Sequence, residues 1–159
     1  MSAPYLYAVA LGGNRRTRHG SPAATLRAAL AMIGGVEAVS PVIATPPLGP
    51  SIRRFANAAA LIRSAEPPPV LLARLKAIER SLGRRPGRRW GARPIDLDIV
   101  LWSGGRWRSR TLAVPHLAFR DRRFVLAPLA RIVPCWRDPV SGRTIRQLLT
   151  QVDRRRPST

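Results

Sequence analysis

Arg89-Trp90-Gly91-Ala92-Arg93-Pro94-Ile95-Asp96-Leu97-Asp98-Ile99-Val100-Leu101-Trp102 changes character at Pro94. Ahead of it, Arg84, Arg85, Arg88, Arg89 and Arg93 crowd around Pro86, Gly87 and Gly91. No apolar period survives there, so residues 83–93 read as a mobile basic loop. Behind it, residues 95–102 read as a strand. Side chains two apart on a strand share a face, so Asp96 and Asp98 project together while Ile95, Leu97 and Ile99 turn the other way into a core. Gly104-Gly105 is a turn signal, and residues 107–112 are expected to return antiparallel. Two strands in succession with no helix between them favour antiparallel pairing.

The rest of the chain extends that frame. Residues 5–11 read as a largely buried first strand, ended by Gly12-Gly13. Ser21-Pro22 is a helix start, with Ser as the cap and Pro at the first helical position. That helix places Leu26, Leu30 and Ile33 on one face and stops at Gly34-Gly35. Residues 36–45 look like a second strand broken at Pro41, and residues 46–50 must be irregular because prolines remove donors and fix the backbone. Residues 55–62 are a third strand candidate, left ambiguous by their alanines. After Pro67-Pro68-Pro69 a helix is expected over residues 70–82, with Leu71, Leu75, Ile78 and Leu82 on one face. Helices are also expected over residues 124–132 and 145–152, followed by a frayed tail at 154–159. Helices interleave with strands, yet several strands follow one another directly. The expected class is α+β: one mostly antiparallel sheet with helices packed on it, in a single domain over residues 1–159.

The bulk composition restricts the classes of function. At 159 residues and 45% apolar content the chain suits one folded core. No apolar run approaches the roughly 18 residues of a membrane span, and the first apolar stretch has neither a basic lead-in nor a cleavage-like site. Cys135 is the only cysteine, so no disulfide framework forms within one chain, which fits a cytoplasmic location. Lys and Arg number 28 against 8 acids, for a net charge of +20, and Lys76 is the only lysine. Such a balance attracts polyanions, although charge runs ordinarily mark solvated faces.

Three local patterns carry chemistry. Asp96 and Asp98 lie side by side and repel, so one would take up a proton unless a cation sits between them. Magnesium favours one or two carboxylates plus substrate phosphate oxygens, and a paired site can hold two ions about 4 Å apart. A bare Asp-x-Asp is ordinarily a solvated pair. Here it ends an apolar strand beside an Arg/Gly loop in a chain with few acids, which favours the metal. The second pattern is Val114-Pro115-His116 with Arg120, Arg122 and Arg123 behind it; a His after Pro is held extended and can offer a donor to phosphate. The third is Thr45-Pro46-Pro47-Leu48-Gly49 with Phe55 and Asn57 downstream. It offers flat faces for a planar heterocycle and an amide to read its edge.

In this order the pieces resemble the 6-hydroxymethyl-7,8-dihydropterin pyrophosphokinases of the folate pathway. The resemblance runs from Leu11-Gly12-Gly13-Asn14 to Pro128-Leu129. Its anchors are Thr45-Pro46-Pro47-Leu48-Gly49, Phe55-x-Asn57, Glu79, Arg89-Trp90-Gly91-x-Arg93-x-x-Asp96-Leu97-Asp98, Val114-Pro115-His116 and Arg122-x-Phe124. The block from Arg89 to Asp98 is the most specific of them. The resemblance implies a ferredoxin-like fold and transfer of pyrophosphate from ATP to the pterin hydroxymethyl group, with release of AMP. It implies two magnesium ions on Asp96 and Asp98. It implies a pterin pocket built from Thr45, Pro46, Leu48, Phe55, Asn57 and Phe124, with Trp90 on a closing loop. Arg84, Arg93, His116 and Arg122 match phosphate contacts, and Glu79, Ile99 and Leu112 match neighbours of the nucleoside. The chain departs from the family pattern at Gly13, Pro86, Thr111 and Arg131. Small-molecule substrates acting on a monomer are expected. The alternatives are a basic nucleic-acid-binding module, suggested by the charge and by Trp90, Trp102 and Trp107 near arginines, and a relative that binds pterin or nucleotide without turnover.

Overall fold

A computed structural model describes residues 4–45, 55–83 and 94–155. In chain order the elements are β1 (Tyr5–Gly13), α1 (Pro22–Ile33), β2 (Val36–Val39), β3 (Ile43–Thr45), β4 (Phe55–Ser64), α2 (Pro68–Ser81), β5 (Asp96–Trp102), β6 (Trp107–Arg108), β7 (Ala113–Val114), α3 (Arg123–Ile132) and α4 (Ile145–Arg155). A 3-10 turn at Phe119–Asp121 leads into α3. The main sheet has the order β2-β4-β1-β5, with β3 also paired to β4. Every described pairing is antiparallel. The α+β class is therefore the one observed.

Alternation along the central strands divides the core in two. Tyr7, Val9 and Leu11 of β1, Ala58, Ala60 and Ile62 of β4, and Leu97 and Ile99 of β5 pack with Leu26, Ala29 and Ile33 of α1 and Leu71, Leu75 and Ile78 of α2. On the opposite face Ala8, Ala59, Val100 and Leu101 pack with Phe119, with Val125, Leu126 and Leu129 of α3, and with Ile145 and Leu148 of α4. The sheet is thus covered by helices on both sides. The run Ala58-Ala59-Ala60, ambiguous by periodicity, is a central strand whose small side chains let both helix layers approach closely. Among the described residues, no helix is long and apolar enough to cross a membrane.

The ends of the helices follow their sequence signals. The Ser21 hydroxyl accepts from Ala24 N at 3.2 Å at the start of α1, and Gly34 and Gly35 leave it with φ of 71° and 62°. A side chain on Gly35 would overlap the Arg63 carbonyl. Pro41 divides the expected second strand into β2 and β3. The break is closed by Ser40, whose backbone N donates to Ala59 O and whose hydroxyl accepts from Ala59 N, both at 2.9 Å.

Three expectations need correction. The first strand does not end at Gly12-Gly13 but runs through both, paired to Asn57 and Ala56 of β4. Residues 107–112 do not return along β5. Only Trp107 and Arg108 are extended, and they pair with Val114 and Ala113 in a separate two-stranded hairpin closed by Ser109 N to Leu112 O. Gly105, at φ 101°, has already turned the chain away. The tail is not frayed at 154 and 155, because α4 continues to Arg155. Asp153 binds Arg123 at 2.7 Å, which links the last turn to the start of α3.

Candidate active site

Register places the candidate residues in rows across three strands. Gly12 of β1 lies opposite Asn57 of β4 on one side and Asp96 of β5 on the other. One rung further in, Ala10 lies between Ala59 and Asp98. Asn57 shares its face with Ala59, and Asp98 is opposite Ala10. The amide and both carboxylates therefore point to the α3/α4 side of the sheet, at its Gly12 end. The residues between them, Gly12 and Ala10, carry almost no side chain. A Cβ on Gly12 would sit 3.0 Å from Asn57 Oδ1. The floor between the amide and the acids is thus open because position 12 is glycine. Asn57 is buried, while Asp96 and Asp98 are half-buried.

A bulge brings the histidine to this row. Ala8 pairs with Leu101 but Val9 with Ile99, so Val100 is an extra residue in β5. It shifts the strand's alternation, which is why Val100 and Leu101 both face the α3/α4 core. Bulges of this kind commonly re-aim groups beside functional sites. The Val100 carbonyl accepts from the His116 backbone N at 3.1 Å, just after a cis Val114–Pro115 peptide. The His116 ring is then fixed by Ala118 N, which donates to Nδ1 at 3.2 Å. With Nδ1 accepting, the neutral ring presents Nε2–H as a donor. Burial pushes the imidazole pKa down, Asp98 opposes this, and Arg122 adds to the lowering. The Arg122 guanidinium lies 5.8 Å from the Phe124 ring centre, within reach of a cation–π contact.

The structure thus gathers Asn57, Asp96, Asp98, His116, Arg122 and Phe124 at one end of one face. Phe55, two residues before Asn57, is on the same face of β4 and pairs with Thr45. Pro46, Leu48, Arg84, Trp90 and Arg93, and the basic loop to which the last three belong, lie outside the described residues.

Glu79, Ile99 and Leu112, the expected neighbours of the nucleoside, lie on the α1/α2 side of the sheet. Ile99 is buried in the α1/α2 core, and Leu112 packs against that core from outside. Glu79, only 2% exposed, accepts from Leu97 N through Oε2 at 2.7 Å and pairs with Lys76 at 3.3 Å. This bond joins α2 to β5 at the residue between the two aspartates.

The donor set suits magnesium. Among the described residues no group of three or more His, Cys, Asp or Glu side chains is placed to hold a metal. Two half-buried carboxylates on one face supply the small share of ligands that magnesium takes from protein when phosphates and water complete its shell.

The sequence profile of the 7,8-dihydro-6-hydroxymethylpterin-pyrophosphokinases (HPPK) matches residues 8–134. The chain belongs to this family. A 2-amino-4-hydroxy-6-hydroxymethyldihydropteridine pyrophosphokinase of Synechocystis sp. is 39% identical over 128 residues, covering 79% of this chain and 66% of that protein. Its counterpart in Pseudomonas aeruginosa is 42% identical over 113 residues, covering 70% of this chain and 69% of that one. Among solved structures, Plasmodium falciparum HPPK-DHPS superposes with a TM-score of 0.72 at 14% identity, over 93% of this chain and 43% of that one. That likeness supports the fold alone. The two signals that connect this pyrophosphokinase-family chain most directly to chemistry, the Asp96/Asp98 pair and His116, are those that the structure brings together.

Sequence reasoning missed two features of the site. Gly12 reads in the sequence as a strand end, whereas it lies within the sheet between Asn57 and Asp96. Asp138 was not singled out, yet it is fully buried and bound to Arg120 by two hydrogen bonds, Nε to Oδ2 at 2.6 Å and Nη2 to Oδ1 at 2.8 Å. A buried acid in an Arg-rich chain implies a partner, but nothing in the sequence says which arginine.

Proposed function

We propose that the chain transfers the pyrophosphoryl group of ATP to the hydroxymethyl oxygen of 6-hydroxymethyl-7,8-dihydropterin. The pterin hydroxyl attacks the β-phosphorus of ATP. The bond between that phosphorus and the oxygen leading to the α-phosphate breaks, AMP leaves, and the hydroxyl proton is lost to solvent. Family membership supports the reaction class. The observation in this chain that carries the reading is the row Asn57–Gly12–Asp96, with Asp98 on the next rung and His116 bonded to Val100 of the same strand. It sets a group that reads a heterocycle edge beside groups that handle phosphate.

Each side chain then has a physical task. Asn57 offers one donor and one acceptor to the pterin edge, and Phe124 and Phe55 supply ring faces. His116 Nε2–H and the Arg122 guanidinium donate to phosphate oxygens, Arg122 in a bidentate fork. Arg84 and Arg93, from the basic loop, would add to that neutralisation. Asp96 and Asp98 would hold two magnesium ions, which would supply charge neutralisation for the triphosphate. Phosphoryl transfer of this kind needs positioning and charge neutralisation more than covalent help.

The test is product identity. Incubation with ATP, the pterin and magnesium, followed by phosphorus NMR, should show AMP and a pterin pyrophosphate in equal amounts. Formation of ADP, or no product with metal present, would overturn the reading.

A further inference from the structure

Between His116 and Arg122 the chain makes one 3-10 turn. Within it two side chains anchor the segment to the body of the protein. Phe119 is fully buried in the α3/α4 core. Arg120 lies over the Phe119 ring, 4.8 Å from its centre, and reaches into the loop before α4 to meet Asp138. Asp138 is held from every side. Its Oδ1 also accepts from Val140 N at 3.0 Å, and its Oδ2 from the Ser141 hydroxyl at 2.7 Å and Ser141 N at 3.3 Å. Its backbone N donates to Arg143 O and its carbonyl accepts from Gly142 N, both at 2.8 Å. The neighbouring Pro139 carbonyl accepts from Arg106 at 3.1 Å, so the same loop also touches the turn after β5.

The carboxylate is therefore a rigid fixture, and Arg120 is the strut that connects it to the segment carrying both phosphate-binding candidates. A planar guanidinium bound through two nitrogens fixes direction as well as distance. A chain that only needed to cover its core could do so with Phe119 alone. The adjacent Asp121–Arg155 pair is a useful contrast. Its side chains are 78% and 64% exposed and meet through one contact at 3.3 Å, so it constrains little.

We propose that Arg120 and Asp138 form a positioning pair, which sets the 116–122 segment so that His116 and Arg122 meet the triphosphate in register with Asp96 and Asp98. The proposal rests on the functional reading given above. Neither residue touches substrate in this account; both act through the turn between the two that do. Misplacement of such groups by about 1 Å costs on the order of a hundredfold in rate.

The experiment is a double-mutant cycle with Arg120→Gln, Asp138→Asn and the pair combined, with Asp121→Asn as a control. AMP release is measured per folded molecule, with binding of the pterin and of a non-hydrolysable magnesium-ATP analogue followed by calorimetry. Each single variant should lose about 10- to 100-fold in kcat, the double variant should lose no more than the worse single, and pterin affinity should stay within twofold. Asp121→Asn should match wild type. Arg120→Lys, which keeps the charge but not the fork, should recover only part of the loss. Variants that melt earlier yet turn over normally when folded would overturn the proposal, because the pair would then be structural only. Equal losses in pterin affinity would overturn it too. If wild type makes no AMP, the functional reading fails by itself. The positioning claim is then judged by hydrogen exchange at the His116 and Arg122 amides, and unchanged protection in Asp138→Asn would overturn it.

Discussion

Glu79 is buried between α2 and β5, and its removal tests what its carboxylate does. The resemblance sets it beside the nucleoside. The structure buries it, with Oε2 accepting from Leu97 N at 2.7 Å and Oε1 near Lys76 at 3.3 Å. β5 is the edge strand of the sheet, and Leu97 lies between the two aspartates. In Glu79→Ala the Leu97 N–H would lose this partner while remaining buried, which costs about 1–3 kcal/mol. The Lys76 contact adds little, because that side chain is 45% exposed. A total of about 2–3 kcal/mol lowers the melting temperature of a chain this size by roughly 5–10 °C. Glu79→Gln keeps an acceptor and loses only charge assistance, about 1 kcal/mol or roughly 3 °C. Thermal unfolding by circular dichroism, with KM for ATP measured at 20 °C, is the assay. Glu79→Ala melting within about 2 °C of wild type while its KM for ATP rises tenfold would refute the structural role and favour a nucleoside contact.

Other substitutions and conditions probe the same account. Gly12→Ala would set a Cβ 3.0 Å from Asn57 Oδ1. It should raise the KM for pterin about tenfold, by displacing an amide that contributes about 1 kcal/mol or more of recognition, and should leave KM for ATP alone; unchanged pterin binding would contradict the open-floor reading. Acid should unfold the protein through Asp138. Burial alone would raise its pKa, but the bonds from Arg120, Ser141 and Val140 outweigh it and hold the carboxyl far below the ordinary range. A carboxyl depressed in the fold stabilises fully above its unfolded value, near 4, and that stabilisation is lost as pH falls below it. Glu66, lowered first by its hydrogen bonds from Arg74, contributes in the same sense. Urea titrations between pH 6 and 2 should show stability falling below about pH 4, with a flatter profile in Asp138→Asn; parallel profiles would exclude Asp138 as a source.

Much of this was legible because local chemistry and global fold agree. The Ser21-Pro22 start and the Gly34-Gly35 stop are read from the backbone preferences of those residues, and the structure obeys both. The carboxylate pair was legible because strand period alone puts Asp96 and Asp98 on one face. What could not be read depends on contacts distant in sequence. The bulge at Val100 is a pairing irregularity, and no local signal marks it, yet its carbonyl holds the His116 backbone. The Arg120–Asp138 bond joins residues 18 apart across a loop. The capping box at α4 was legible but overlooked: Thr144 Oγ1 accepts from Gln147 N at 3.1 Å and Gln147 Oε1 from Thr144 N at 2.9 Å. Gly12 looked like a terminator because glycine usually weakens a strand. Here the strand runs through it, because Gly12 pairs with Asn57 on one side and Asp96 on the other.

The most direct test of the central claim is the rate of AMP release by Asp98→Ala beside wild type, at saturating magnesium and both substrates. If the two aspartates hold the cations that bring in the triphosphate, the variant should be slower by about a thousandfold or more while remaining folded. A folded Asp98→Ala within tenfold of wild type would show that the pair is not the metal site, and the account would fail with it.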